Sequence, residues 1–125
     1  MNNDNSIKSI INDTLNIKQI QACFIFGSYG TGNFTENSDI DIAVISDLDT
    51  IELYEYSDIL ESKIGRKVDL LNVDSLPGII RLAICYRNEL VFCKDNNKLE
   101  DFYDKVRIWY NSDFNIWKVW HEEDF

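Results

Sequence analysis

Phe24-Ile25-Phe26-Gly27-Ser28, ten residues from Tyr29 to Ser38, then Asp39-Ile40-Asp41-Ile42-Ala43-Val44: an apolar run stops at a Gly-Ser pair, and a second opens on two aspartates one residue apart. The first run, Ala22 to Phe26, reads as a buried strand closed by Gly27. The second, Asp39 to Ser46, reads as a strand whose alternation puts Ile40, Ile42 and Val44 on one face and Asp39, Asp41 and Ala43 on the other. Between them, Gly27 to Asn33 holds three of the five glycines. Four fixed positions in the pattern G-S-x10-D-x-D match by chance on the order of 0.2% of the time in a chain of this size, given ordinary Gly, Ser and Asp frequencies.

The spacing has chemical content. Residues i and i+2 of a strand have Cα atoms about 6.6 Å apart and side chains on one side. Carboxylates so placed suit hard cations about 3.5–4 Å apart, the arrangement of two-metal phosphoryl transfer. Without cations, like charges this close repel and contribute nothing to the fold. At Gly27-Ser28 a strand gives way to a tight turn, where free backbone N–H groups and the Ser28 hydroxyl can meet a phosphate. Such a turn alone is an ordinary loop; coupled to Asp39 and Asp41 it reads as a nucleotide site.

Outward from this centre, Ser6 is placed to cap a helix with Ile7, Ile10, Ile11 and Leu15 on one face. Asp49 with Glu52 opens a second helix by a capping-box pattern, with Leu53, Tyr56, Leu60 and Ile64 inward and a stop at Gly65. Lys67 to Val73 is a third strand. Asp69 lies in it among apolar residues, where an ionised carboxylate is costly unless paired or bound to metal. It either completes a metal triad or accepts a proton from an attacking hydroxyl; the bland alternative is an edge-strand aspartate in water, or one paired with Arg66 or Lys67. Ser75 and Pro77 open a third helix with Leu76, Ile79, Ile80, Ala83 and Ile84 inward, and Leu90 to Cys93 forms a fourth strand. From Lys98 on, Leu99, Phe102, Val106, Trp109 and Tyr110 mark a last helix. Glu52, Glu55, Asp58 and Glu61 read as a solvated helix face.

With 125 residues, 45% of them hydrophobic, the chain is long enough to bury a core and is read as one domain, 1–125, of alternating strands and helices. A net charge of −10, from 12 Lys+Arg and 22 Asp+Glu, argues against a non-specific grip on nucleic acid and favours a basic or neutral partner. No targeting segment or membrane span is legible, so a cytoplasmic protein is expected. Cys23, Cys85 and Cys93 form no CxxC pair and His121 stands alone, so buried reduced thiols are expected rather than a zinc site. An aromatic tail, about 112–125, carries Phe114, Trp117 and Trp120 at intervals of three. It either caps the chain's own core or docks a partner.

The stretch from Phe24 to Val44, with Lys67-Val68-Asp69-Leu70-Leu71, resembles the DNA polymerase β-like nucleotidyltransferase superfamily, specifically its minimal members, antitoxins encoded beside HEPN-domain ribonuclease toxins. The resemblance implies an α/β (α+β) nucleotidyltransferase fold, a mixed sheet of about four strands flanked by helices. It implies Mg²⁺, two ions, on Asp39, Asp41 and Asp69, and ATP contacted by Gly27 and Ser28. It further implies transfer of AMP to a tyrosine of a HEPN toxin in a hetero-oligomer. Many relatives carry an arginine in the glycine turn where this chain has Thr31, so a basic contact there is missing or supplied elsewhere, with Arg66, Arg81 and Arg87 as candidates. Two other functions fit the same residues: nucleotide transfer to an aminoglycoside-type small molecule, and neutralisation of a partner by masking alone.

Overall fold

The computed structural model describes residues 3–27, 34–35 and 37–114. In chain order these form α1 (Asn3–Leu15), β1 (Ile20–Phe26), β2 (Ile40–Ser46), α2 (Thr50–Ile64), β3 (Val68–Asn72), a 3-10 turn (Val73–Ser75), α3 (Gly78–Tyr86), β4 (Glu89–Cys93) and α4 (Asn96–Trp109), which runs on as a π turn through Tyr110–Phe114. The four strands make one mixed sheet in the order β3-β2-β1-β4. β1 is antiparallel to both β2 and β4, while β2 and β3, joined by the α2 crossover, run parallel. The expected architecture is met.

Alternation along the strands divides the core in two. Ile40, Ile42 and Val44 of β2, with Cys23 and Ile25 of β1 and Val68 and Leu70 of β3, pack with Ile7, Ile11 and Leu15 of α1 and Leu53 and Leu60 of α2. On the other face Ala22, Phe24 and Ala43 meet Ile84 of α3 and Phe102 and Val106 of α4, with the Phe24 and Phe102 rings 5.9 Å apart. Each fully buried Ile, Leu or Phe contributes roughly 1.5–3 kcal/mol relative to exposure, so two apolar layers hold the sheet rigid from both sides.

Helix ends follow from local chemistry. Asp49 Oδ1 accepts the Glu52 N–H at 2.8 Å and Glu52 Oε1 accepts the Asp49 N–H at 3.2 Å, completing the expected capping box. Gly65 closes α2 at φ 80°, a left-handed conformation glycine adopts without strain. Asp95 caps α4 through the Asn97 and Lys98 N–H groups. Gly78 is held for a different reason: a β-carbon there would run into the Trp109 indole, so its hydrogen lets α3 and α4 approach.

Several expectations are corrected. α1 begins at Asn3, so Ser6 lies inside the helix rather than capping it; the polar run Asn3-Asp4-Asn5 is itself suited to a helix N-terminus. On α3, Ile79 is 38% exposed and Ala83 is exposed, because burial follows the spacing of four through Leu76, Ile80 and Ile84. Tyr110, at the end of α4, is 42% exposed. β3 is an edge strand with Leu71 38% exposed, the placement given above as the bland alternative for Asp69, which is itself half-buried opposite Asp41. Cys23 is buried and its thiol pushed up in pKa by desolvation, whereas Cys85 and Cys93 are half-buried; all three are free. The tail beyond 114, with Trp117, Trp120 and His121, lies outside the described residues. Among the described residues no helix is long and apolar enough to cross a membrane.

Candidate active site

Register brings the site together. In the antiparallel pair Phe26 stands opposite Asp41, so Gly27, the next residue, turns over the Asp41 carboxylate. In the parallel pair Asp41 stands opposite Asp69. Both face the α3/α4 side of the sheet, since Ile40, Ile42, Val68 and Leu70 point into the α1/α2 layer. Asp39, exposed, immediately precedes β2, close enough for its charge to act on Asp41.

Gly27 is constrained twice. Its φ of 75° is left-handed, and a β-carbon on it would overlap Asp41 Oδ2. The missing side chain leaves backbone directly beside a carboxylate. Ser28 lies outside the described residues, as do Gly30, Thr31 and Gly32.

The half-buried Asp41 is electrostatically frustrated. Burial is the main cause, with repulsion from Asp69 and Asp39 and a hydrogen bond that protonated Asp41 donates to Asp69; Lys67 offsets part of this. Together they push the Asp41 pKa up to about 6. Among the described residues no three acidic, His or Cys side chains already converge into a metal-binding group; Asp69 is hydrogen-bonded to Asp41, whereas Asp39 acts on it through charge alone. The donor set is all carboxylate oxygen, which suits a hard cation such as Mg²⁺, and its mutual repulsion is the kind of charge such a cation relieves.

The turn before Asp39 is braced. Thr35 and Ser38 close it reciprocally, Thr35 N–H to Ser38 Oγ at 2.9 Å and Ser38 N–H to Thr35 C=O at 3.1 Å. Arg66 reaches across from the start of β3 and donates from Nη1 to Thr35 C=O at 2.8 Å, with its guanidinium 4.6 Å from the centre of the Phe34 ring. Arg66 is thus engaged in holding the turn, neither paired with Asp69 nor available as a substitute for the turn arginine. Arg87 is exposed at the end of α3, and the Nε of Arg81 is buried without a hydrogen-bond partner. Among the described residues it is Lys67 whose positive charge partly offsets the raised Asp41 pKa, although its position in the sequence suggests only an ion-pair partner for Asp69. It sits two residues before Asp69, and the alternation that groups Asp39 with Asp41 also puts Lys67 and Asp69 on one face.

A family model described as polymerase beta, nucleotidyltransferase, matches residues 5–97. The chain belongs to the polymerase beta nucleotidyltransferase family. Within this family it is 38% identical over 80 residues to the protein adenylyltransferase MntA of Shewanella oneidensis, a match spanning 62% of this chain and 56% of that protein. A solved toxin-antitoxin structure with AMP-PNP superposes with a TM-score of 0.76 at 28% identity, covering 99% of this chain and 98% of the other. A tri-AMPylated Shewanella oneidensis HEPN toxin in complex with MNT antitoxin gives a TM-score of 0.70 at 26% identity, covering 98% and 94%. The nucleotidyltransferase family shares the mixed sheet that here sets Asp41 beside Asp69.

Proposed function

We propose that this chain is an antitoxin adenylyltransferase that transfers AMP from ATP to a tyrosine of a HEPN toxin and so silences it. The observation that carries this reading is the meeting of Gly27, Asp41 and Asp69 through two strand registers. A protein acting by masking alone gains nothing from a half-buried carboxylate whose pKa stands at about 6. The AMP-PNP complex and the AMPylated toxin among its structural relatives support ATP as donor and a HEPN protein as acceptor. We place the reaction in the cytoplasm and the product in a hetero-oligomer with the toxin.

In this reading Asp39 and Asp41 would hold Mg²⁺, two ions, which would supply charge neutralisation at the triphosphate and a lower pKa for the incoming hydroxyl. The backbone at Gly27 and Ser28 binds phosphate oxygens, which the missing Gly27 side chain allows at close range. Asp69 accepts the tyrosine proton as the phenolic oxygen attacks the α-phosphorus. One phosphorus–oxygen bond forms to tyrosine, the bond to pyrophosphate breaks, and the products are tyrosyl-AMP, pyrophosphate and a proton. Positioning and charge supply most of the acceleration.

The test is to incubate the protein with Mg²⁺, ATP and the HEPN protein encoded beside it, then weigh that protein by intact mass spectrometry. An AMP-sized increment on a tyrosine supports the reading. A stable complex of unchanged mass sinks it in favour of masking, and transfer to an aminoglycoside but not to protein sinks it in favour of a small-molecule enzyme.

A further inference from the structure

Among the described residues β3 has β2 on one side and no strand on the other. In a parallel ladder alternate residues turn their backbone groups to opposite sides. The Ile40 N–H donates to Lys67 C=O at 2.9 Å, which turns Lys67, Asp69 and Leu71 toward β2 and Val68 and Leu70 toward the open edge. Ser57 of α2 confirms the direction, since its buried hydroxyl donates to Val68 C=O at 2.6 Å. Leu70, one step along, faces the same open side with no strand beyond it.

Alongside that edge runs a groove of about 500 Å³. Its α2 wall presents Thr50, Tyr54, Asp58 and Glu61, a stripe at helical spacing, and its other wall is β3 with Asp69 opening into it. Tyr54 is 69% exposed. The α2 wall therefore offers an uncovered aromatic ring and two carboxylates, and the β3 wall offers the outward-facing backbone of Leu70, the Val68 carbonyl being taken by Ser57. The groove shares Asp69 with the candidate active site.

We propose that this groove takes an extended, basic segment of the partner, added to the edge of β3, which carries the acceptor tyrosine. This rests on the adenylyltransferase reading and names what that reading leaves open, the surface that selects the acceptor. Added strands lie about 4.8 Å apart with side chains alternating between faces. A tyrosine opposite Asp69 shares its face and lies toward Asp41. The residues immediately before and after it turn to the other face, toward Asp58 and Glu61, and are lysine or arginine. Backbone hydrogen bonds at Leu70 supply register, and the α2 carboxylates supply the charge preference.

Two measurements on the full chain with the neighbouring HEPN protein test this. Hydrogen exchange on the wild-type complex, without nucleotide, is expected to slow amides in 68–72 on binding; protection confined to other segments overturns the proposal whether or not AMP is transferred. In transfer kinetics, Asp58→Lys with Glu61→Lys is expected to raise KM for the partner about tenfold while kcat and KM for ATP stay within about twofold. Glu55→Lys, an equal change per site on the same helix outside the groove, is the control and leaves KM unchanged. An unchanged KM in the double variant, or an equal rise with Glu55→Lys, overturns the proposal. Absence of transfer by the wild-type protein defeats the adenylyltransferase reading instead, and the exchange result alone then decides the groove.

Discussion

Asp41→Asn is expected to make the metal-free protein more stable while destroying its activity. The carboxylate has a pKa of about 6 in the folded protein against 3.8 for an unperturbed aspartate, chiefly from burial and then from Asp69 and Asp39. A tenfold change in proton affinity is worth about 1.36 kcal/mol, so the unscreened penalty of the ionised form at neutral pH is roughly 3 kcal/mol. Asp41 is only half-buried, and solvent screening brings this to about 1–2 kcal/mol. Asparagine removes the charge and keeps the shape, and its amide can donate to Asp69 where protonated Asp41 does. In EDTA at pH 7.5 the variant should melt about 3–8 °C above wild type.

The pH dependence gives the sharper check. Because the folded pKa is raised, folding takes up a proton between about pH 4 and 6, and wild-type stability falls as pH rises through 6. Asp41→Asn lacks this loss, so the gap in melting temperature should open across that window and close toward pH 4. Mg²⁺ with ATP should raise the wild-type melting temperature and leave the variant unmoved, since only the nucleotide-bound state gains by mass action. Melting by fluorescence or calorimetry, with and without EDTA, measures all of this. A variant less stable than wild type in EDTA at pH 7.5, or a gap that does not change with pH, would refute the claim that Asp41 is held against its electrostatic preference.

Mg²⁺-ATP affinity should weaken about tenfold for each pH unit below 6, because cation and proton compete for Asp41; a flat titration from pH 7 to 5 contradicts this. Gly27→Ala should cost about 1–2 kcal/mol for its left-handed φ and, by displacing the Asp41 carboxylate, lower AMP transfer at least about 100-fold; a variant with wild-type kcat would show the close approach to be incidental. Arg66→Ala loses the bond to Thr35 and the ring contact with Phe34, with about 1–2 kcal/mol of stability and a lower kcat expected; Arg66→Lys, which keeps charge but not the planar contact, should restore less than half of either. Gly78→Ala should destabilise by about 1–3 kcal/mol through the Trp109 ring, and a double-mutant cycle with Trp109→Leu should show coupling above about 0.5 kcal/mol.

Sequence periodicity is enough to group Asp39 with Asp41, to separate them from Ile40 and Ile42, and to place Gly27 at a strand end, because these follow from the two-residue repeat within one segment. The opposition of Asp41 and Asp69 is not legible in the same way. It depends on β2 pairing with β3 in parallel and in one register, a property of two strands joined through a 15-residue helix. The edge position of β3 stays one of two readings of the sequence for a related reason: Val68 and Leu70 are apolar because α2 covers one face, and an apolar run looks alike whether one side or two are occupied. The role of Arg66 needs Thr35, 31 residues earlier in the chain. Lys67 is within reach, since the alternation used for the paired aspartates places it beside Asp69.

The net charge of −10 by itself argues against gripping nucleic acid and for a basic or neutral partner, but its distribution carries more. Asp41 and Asp69 stand opposite each other at one end of a sheet whose apolar layers hold β2 and β3 in register, so their repulsion cannot be relieved by drifting apart. A site with unrelieved repulsion is poised for cations, since each bound charge removes a penalty as well as adding an attraction. The carboxylates of α2 do not share that constraint: Asp58 is exposed and Glu61 half-buried on a helix flank, where each is free to meet a mobile partner. In the proposed function the half-buried acids at the sheet end and the acids at the groove wall answer to different ligands, and neutral substitutions should separate them. Removing charge from the first changes metal and nucleotide linkage with little effect on partner affinity, while removing it from the second does the reverse.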